Sequence, residues 1–241
     1  MNRYRLLTGR AWRAAKLGFP FWGTSFSSFP RSIWLNGKRI RLSAPLEQTL
    51  VNDVINVWLD DEYGLSQLAN TPPKTILDLG ANIGLFSIWA RRFFPDAIIH
   101  AYEPNSRIME YARRNTADLD VRILGSAVGQ APGRAHIRDD GDSRRAYTSP
   151  SFDGDIEMMS LMQIVDHIGG QVDLMKLDIE GAEWDLFDDP SSFDGVDIIR
   201  MEYHLGRDRT LLDIMNAAER LDFKVEKLAP NDGFGILWLR R

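Results

Sequence analysis

The chain has 241 residues, 44% of them hydrophobic, with a formal net charge of -5 and no cysteine. That length and apolar content suffice for one catalytic domain with a small extension, while the acidic balance and the lack of an RNA-binding fingerprint argue against a nucleic-acid partner. Without cysteine there is no disulfide, thiolate nucleophile or Cys-ligated zinc, which suits a reducing compartment and makes the cytoplasm the expected location.

Residues 1–46 carry Arg3, Arg5, Arg10, Arg13, Lys16, Arg31, Lys38, Arg39 and Arg41 and no acid, so the remaining residues carry a net -14. No apolar run approaches the ~20 residues that a spanning helix needs. The apolar patch 17–22 is short, contains Pro20 and lacks the features of a signal peptide. Residues 32–42 read as a β-hairpin around Asn36-Gly37. The favoured reading of this basic segment is a cap docked on its own acidic domain; the other is peripheral contact with anionic lipid or a phosphorylated lipid carrier. Helices are expected over 47–59 and 64–70, so residues 1–70 form the cap and residues 71–241 the main domain.

Pro72 and Pro73 precede a β-branched run, 75–79, that reads as a strand; spacing then turns helical over 83–94 and stops at Pro95. There follow a strand 97–102, a helix 105–115 and strands 121–124 and 134–138. A loop rich in Asp, Gly, Ser and Pro spans 139–154. Beyond it come the segment 156–160, a short helix to 168, a strand 172–178, a helix from Ala182 and a strand 196–203. A last helix leads to a hairpin, 223–228 with 234–239, around Asn231-Asp232-Gly233. Alternating strands and helices predict an α/β fold: a doubly wound, mostly parallel, Rossmann-like sheet with a C-terminal antiparallel hairpin and the small N-terminal cap. In such sheets ligands sit outside the carboxyl ends of the strands.

Those ends carry the chemistry. The first strand runs into Asp78-Leu79-Gly80-Ala81-Asn82-Ile83-Gly84, with Gly84 expected to let the backbone approach a ligand, and the next ends in Glu103-Pro104, where a carboxylate meets ribose hydroxyls. A dinucleotide fingerprint would need glycine where Asn82 stands, and Asp78 would repel a pyrophosphate. S-adenosylmethionine has no phosphate but an ammonium and a sulfonium, so the same acid attracts it. Two further strands end in Lys176-Leu177-Asp178-Ile179-Glu180-Gly181-Ala182-Glu183 and Glu202-Tyr203-His204.

With D-x-G-A-N-x-G, an acid-Pro strand end, K-x-D-x-E-G-x-E and a later E-x-H in that order, residues 71–204 resemble the FkbM family of S-adenosylmethionine-dependent methyltransferases. The resemblance implies a class I methyltransferase fold and O-methylation of a sugar, glycan or polyketide-type acceptor, small molecule or glycan. The expected cofactor site is Asp78 on the methionine ammonium, Gly80, Ala81, Asn82, Gly84, Glu103 on the ribose, Pro104, and Ser126 with Ala127 at the adenine edge. Asn82 also fits the plain role of a helix N-cap.

The expected catalytic set is Asp178, Glu180 and His204, able to take the proton of an acceptor hydroxyl. Glu202 shares the alternation phase of His204. Lys176 is read as a structural ion-pair partner, and Glu183 as a cap or supporting residue. Arg144 and Arg145 are either phosphate ligands or solvated loop residues. No metal is expected; the alternatives are a magnesium-dependent O-methyltransferase with Asp178, Glu180 and Glu202 as oxygen ligands, and a non-catalytic cofactor-binding module.

Overall fold

In the computed structural model the described residues are 3–21, 28–139, 141, 147–206 and 208–241, with residues 3–6 described in their backbone only. Trp22, Arg144 and Arg145 lie outside them.

The chain opens with helix α1 (Arg3–Leu17), which the sequence reading did not anticipate: only a thin apolar stripe faces inward, with Ala14 and Leu17 buried. Strands β1 (Ser32–Leu35) and β2 (Lys38–Arg41) pair antiparallel around Asn36-Gly37, both residues at positive φ. Helix α2 (Thr49–Asp53) widens into a π-helical segment, Val54–Leu59. That segment buries Val54, Ile55, Val57, Trp58 and Leu59, and the Trp58 indole donates to the Leu85 carbonyl at 2.9 Å. The expected helix 64–70 is only a 3₁₀ turn, Leu65–Leu68, entered through Gly64 at φ 67.

The domain then unfolds in order: β3 (Thr75–Leu79), α3 (Leu85–Phe93), β4 (Ile98–Tyr102), α4 (Ser106–Thr116) and β5 (Val121–Leu124). Next come β6 (Ala127–Gly129), β7 (Gly133–Arg138), β8 (Tyr147–Pro150), β9 (Ile156–Ser160) and α5 (Leu161–His167). The chain ends with β10 (Leu174–Leu177), α6 (Glu183–Phe187), β11 (Ile198–His204), α7 (Leu211–Arg220), β12 (Lys224–Pro230) and β13 (Phe234–Arg240). Side chains start the helices: Asn105 caps α4, and Ser160 with Gln163 and Thr210 with Asp213 form capping boxes on α5 and α7.

Seven strands form the central sheet in the order β12-β13-β11-β10-β3-β4-β5, with β11, β10, β3, β4 and β5 parallel and β13 antiparallel to both its neighbours. The chain winds outward from β3 through β4 and β5, then returns beside β3 to add β10 and β11. The order therefore reverses between β3 and β10, and a crevice opens at their carboxyl ends. The stretch expected as a loop over 139–154 contains β8, which joins β6, β7 and β9 in a second, four-stranded sheet. β8 escaped the pattern because it is a short edge strand, half exposed throughout and closed by Pro150.

Alternation divides the core between the two faces of the central sheet. Ile76, Leu174 and Ile198 point to one face, and Leu77, Leu79, Met175, Leu177 and Ile199 to the other, under α5, α6 and α7. The first face is covered by α3 together with Leu17 of α1, Ile33 and Ile40 of the hairpin, and Leu50, Val54 and Trp58. The expected cap 1–70 thus shares one hydrophobic core with the domain 71–241 and forms a layer of it. Arg10 also ion-pairs with Asp60 across that junction. Among the described residues, no helix is long and apolar enough to cross a membrane.

Candidate functional site

The crevice between β3 and β10 is a cleft of about 1050 Å³, counting its open mouth. The turn after β3 is its floor. Gly80 and Ala81 both donate to the Tyr102 carbonyl, at 3.0 and 2.9 Å, which pins the turn to the end of β4. Gly80 sits at φ 76, and a Cβ there would fall 1.8 Å from the Asp178 carbonyl oxygen. Only glycine lets β3 and β10 come this close.

Asn82, at φ 49, donates its backbone N–H to Glu103 Oε2 at 2.8 Å, and Asn105 donates to Oε1 at 2.9 Å. Glu103 is buried, and burial pushes its carboxyl up to about 7 against the pull of those two backbone bonds and of Lys176. Each carboxylate oxygen can accept a second hydrogen bond from the cleft side. Pro104 lines the cleft beside it. The Asn82 side chain accepts from Ile83 N, and the residue capping α3 is Gly84, so the N-cap role falls to the glycine.

Four expected cofactor residues stand outside the cleft lining. A Cβ on Gly84 would meet Thr116 Cγ2 at 3.2 Å and Ala112 beyond it, so this glycine lets α3 pack on α4 and does not admit a ligand. Ser126 and Ala127 are buried, and it is the next residue, Val128, that faces the cleft. Asp78 is wholly buried beneath the turn, where Ser87 Oγ donates to it at 2.6 Å and Lys176 Nζ lies 3.6 Å away. Burial raises its carboxyl, and Lys176 and Ser87 pull it back.

Lys176 is the hub of this floor, and the ion pairing expected of it is present. Its ammonium reaches Asp178 at 3.2 Å and Asp78, and it donates to the carbonyls of Leu79 and Gly80. Burial would lower its pKa, but the two aspartates overrule burial and raise it. Asp178 also accepts from the Tyr63 hydroxyl at 3.3 Å. Tyr63 belongs to a wall that sequence reasoning missed, built from Asp53, Asn56, Glu62 and Tyr63 of the segment before β3. The run Asp60-Asp61-Glu62-Tyr63-Gly64 was its one signal, acids beside an aromatic and a glycine. Burial, with the charges of Glu202 and Asp178, pushes Glu62 up to about 8.

At the far end of the cleft the structure brings Glu180 and His204 together. His204 Nε2 lies 3.5 Å from both Glu180 Oε2 and Glu202 Oε1, and Nδ1 lies 3.4 Å from Glu183 Oε1. The ring stacks on Phe234. Burial alone would lower the imidazole, but the hydrogen bonds to Glu183 and Glu202 and the charge of Glu180 raise it to about 11. A ring so held is an imidazolium at neutral pH and has no lone pair with which to accept a proton. Glu180, held at φ 54 by the sharp turn after β10, is raised to about 8 by burial and by the charge of Asp178.

Six carboxylates line the cleft, Asp53, Glu62, Glu103, Asp178, Glu180 and Glu202, against the single lysine, Lys176. The rest of the lining is largely apolar, including Leu85, Phe86, Val128 and Ile137. Such a lining repels phosphate and attracts a cation with an apolar body. Among the described residues, no group of three or more His, Asp or Glu is arranged to hold a metal ion. Of the acids considered as its ligands, Asp178 is paired with Lys176, and Glu180 and Glu202 with His204.

The family described as "Methyltransferase FkbM domain" matches residues 78–225, more than half of the chain. The chain belongs to the FkbM methyltransferase family. The protein named Methyltransferase sdnD, of Sordaria araneosa, is 26% identical over 166 residues, covering 53% of this chain and 63% of that protein. The FkbM chain described here thus matches a little under two thirds of that relative's length. Two solved structures are similar at lower identity. The ribosomal protein L11 methylase of Lactobacillus delbrueckii subsp. bulgaricus is 16% identical, with 75% of this chain and 76% of that chain covered and a TM-score of 0.48. The tRNA (uracil-54, C5)-methyltransferase of Pyrococcus abyssi, in complex with S-adenosyl-L-homocysteine, is 14% identical, with 90% and 45% covered and a TM-score of 0.48. At those scores the likeness carries no argument about this FkbM protein.

Proposed function

We propose that this FkbM protein binds S-adenosylmethionine in the cleft between β3 and β10 and catalyses methylation of an acceptor hydroxyl. The observation that carries the reading is the lining, six carboxyl groups against one lysine around an apolar middle among the described residues; burial raises Glu62 and Glu180 to about 8 and Glu103 to about 7, and a bound cation draws all three towards the ionised form. When bound, the cofactor supplies an activated methyl group on a sulfonium.

Glu103 holds the ribose hydroxyls with the acceptor capacity that Asn82 and Asn105 leave it. Asp78 acts on the methionine end from beneath: with Asp178 it holds Lys176, whose ammonium fixes the Gly80 carbonyl and so the turn on which that end rests. Glu180 takes the acceptor proton. The hydroxyl proton would pass to the Glu180 carboxylate as the acceptor oxygen takes the methyl group that a bound cofactor would supply. A carboxyl raised to about 8 is well matched to that task, and a bound cation would bring it back down, so the base is ionised when the cofactor is in place. His204, as a cation among Glu180, Glu183 and Glu202, orients the base.

A second groove adjoins the cleft and shares Asn56, Glu62 and Glu202 with it. Arg10, Asn52 and Asn231 add hydrogen-bonding groups there, and Phe234 an apolar platform. This wall suits a hydroxyl-bearing acceptor such as a sugar, a glycan or an oxygenated natural product. Calorimetry with S-adenosylmethionine, S-adenosylhomocysteine and NAD tests the cofactor reading: the first two should bind and NAD should not. Equal binding of NAD would overturn it.

A further inference from the structure

Among the described residues of the basic segment before residue 47, none lines the cleft, and Arg10 alone reaches the groove beside it. The shape of the segment is specific. On β1 and β2, Ile33, Leu35 and Ile40 point inward, leaving an outer face on which Trp34 stands opposite Arg39 and Ser32 opposite Arg41. Trp34 is 52% exposed and lies against the end of α1, where a Cβ on Gly18 would fall 2.5 Å from its ring. One and a half turns earlier, Trp12 is 61% exposed, with the Lys16 ammonium 3.7 Å from its ring centroid.

Between α1 and α3 runs a shallow groove of about 630 Å³ with Trp12, Leu17, Trp89 and Phe93 in its walls and Arg13, Lys16 and Arg92 around it. Asn36 ties the hairpin turn to the same end of α3 by donating to the Arg91 carbonyl at 3.2 Å. Helix end, hairpin and groove therefore form one continuous face. Of the nearby acids, Asp60 is paired with Arg10, and Asp61 is buried on Ser66, the Leu65 backbone and the Trp89 indole, so one recessed negative charge stands against Arg13, Lys16 and Arg92.

We propose that this face docks on an anionic lipid bilayer. Two exposed indoles beside a field of cations match a membrane surface twice over, since tryptophan settles at the headgroup level while lysine and arginine are drawn to the negative leaflet. A single-stranded nucleic acid could stack its bases on the indoles, but it has no group for the apolar groove of Leu17, Trp89 and Phe93, which acyl chains fill. The inference is independent of the reaction in the cleft, and it makes this FkbM protein a peripheral membrane protein.

Vesicle flotation of the full chain tests it, using phosphatidylcholine alone and phosphatidylcholine with about 30 mol% phosphatidylglycerol. The protein should float only with the anionic vesicles at low salt and be released as salt rises. Lys16→Ala and Arg39→Ala should each weaken vesicle binding about fivefold. The double variant Trp12→Ala/Trp34→Ala should also lose vesicle binding, while S-adenosylhomocysteine affinity and melting temperature stay at their wild-type values. No preference for anionic vesicles, undiminished binding by the tryptophan variant, or tighter binding to a single-stranded oligonucleotide than to the vesicles would overturn the proposal.

Discussion

Glu103→Gln isolates the cofactor side of the cleft without requiring an acceptor. In the wild type, both carboxylate oxygens accept from backbone N–H groups and both can take a further bond from a ribose hydroxyl. The amide replaces one of those oxygens with a donor, which faces a backbone N–H, and removes the charge. Loss of a hydrogen bond to a charged group costs about 1.5–3 kcal/mol, so S-adenosylhomocysteine should bind roughly 10–150-fold more weakly. The pH dependence gives a second reading. With its carboxyl at about 7, Glu103 is about one-tenth ionised at pH 6 and about nine-tenths at pH 8. Ribose hydroxyls donate to the ionised form, so wild-type affinity should tighten about ninefold over that interval through this group alone. In the variant that share of the slope disappears, and what remains belongs to Glu62 and Glu180. Titration calorimetry at pH 6, 7 and 8 measures both quantities. Equal affinities at pH 8, with the same slope in the two proteins, would refute the ribose assignment.

Glu180→Gln should lower kcat at saturating cofactor by about 10²–10⁴ with any acceptor that turns over; a variant with wild-type kcat returns the base to Asp178. His204→Ala leaves Glu180, Glu183 and Glu202 without their cation and should cost about 3–5 kcal/mol, or roughly 6–20 °C in melting temperature. Because the folded imidazole is raised to about 11, that deficit should be full below the unfolded value near 6.5 and shrink as pH rises towards 11; a deficit that grows with pH would contradict the cation assignment. Gly80→Ala puts a Cβ into the Asp178 carbonyl and should abolish cofactor binding and depress the melting temperature in circular dichroism, whereas an unaffected variant would mean that the turn can move away from β10.

Much of this site lay open in the sequence, because Asp78, Glu103, Asp178 and His204 each end a strand, and strand ends can be read from local pattern. What local pattern does not carry is which side of the backbone a residue faces once the strands pair. Asp78 points beneath the turn because Lys176, 98 positions along the chain, pairs beside it in register. The charge of His204 is decided by Glu183, 21 positions earlier and on another element, so the ring that reads alone as a near-neutral base is held as a cation. The wall of Asp53, Glu62 and Tyr63 was invisible for a different reason: its residues precede the sheet, and only burial of Trp58 and Leu59 against α3 folds them over the cleft. α1 and β8 went unread because one has too thin an apolar stripe and the other no alternation at all.

That wall has an evolutionary consequence. The floor proposed to meet the cofactor comes from the ends of β3, β4 and β10, while Asn52, Asn56 and Glu62, which face the adjoining groove, belong to a separate stretch of chain, with Asn56 and Glu62 also lining the cleft. If that groove takes the acceptor as proposed, a lineage can change its polar residues, such as Asn52, while keeping the buried Val54, Trp58 and Leu59 of the same stretch, and retarget the enzyme without disturbing the turn after β3. Drift in acceptor choice should concentrate there, and grafting that stretch between relatives is the shortest route to exchanging their substrates.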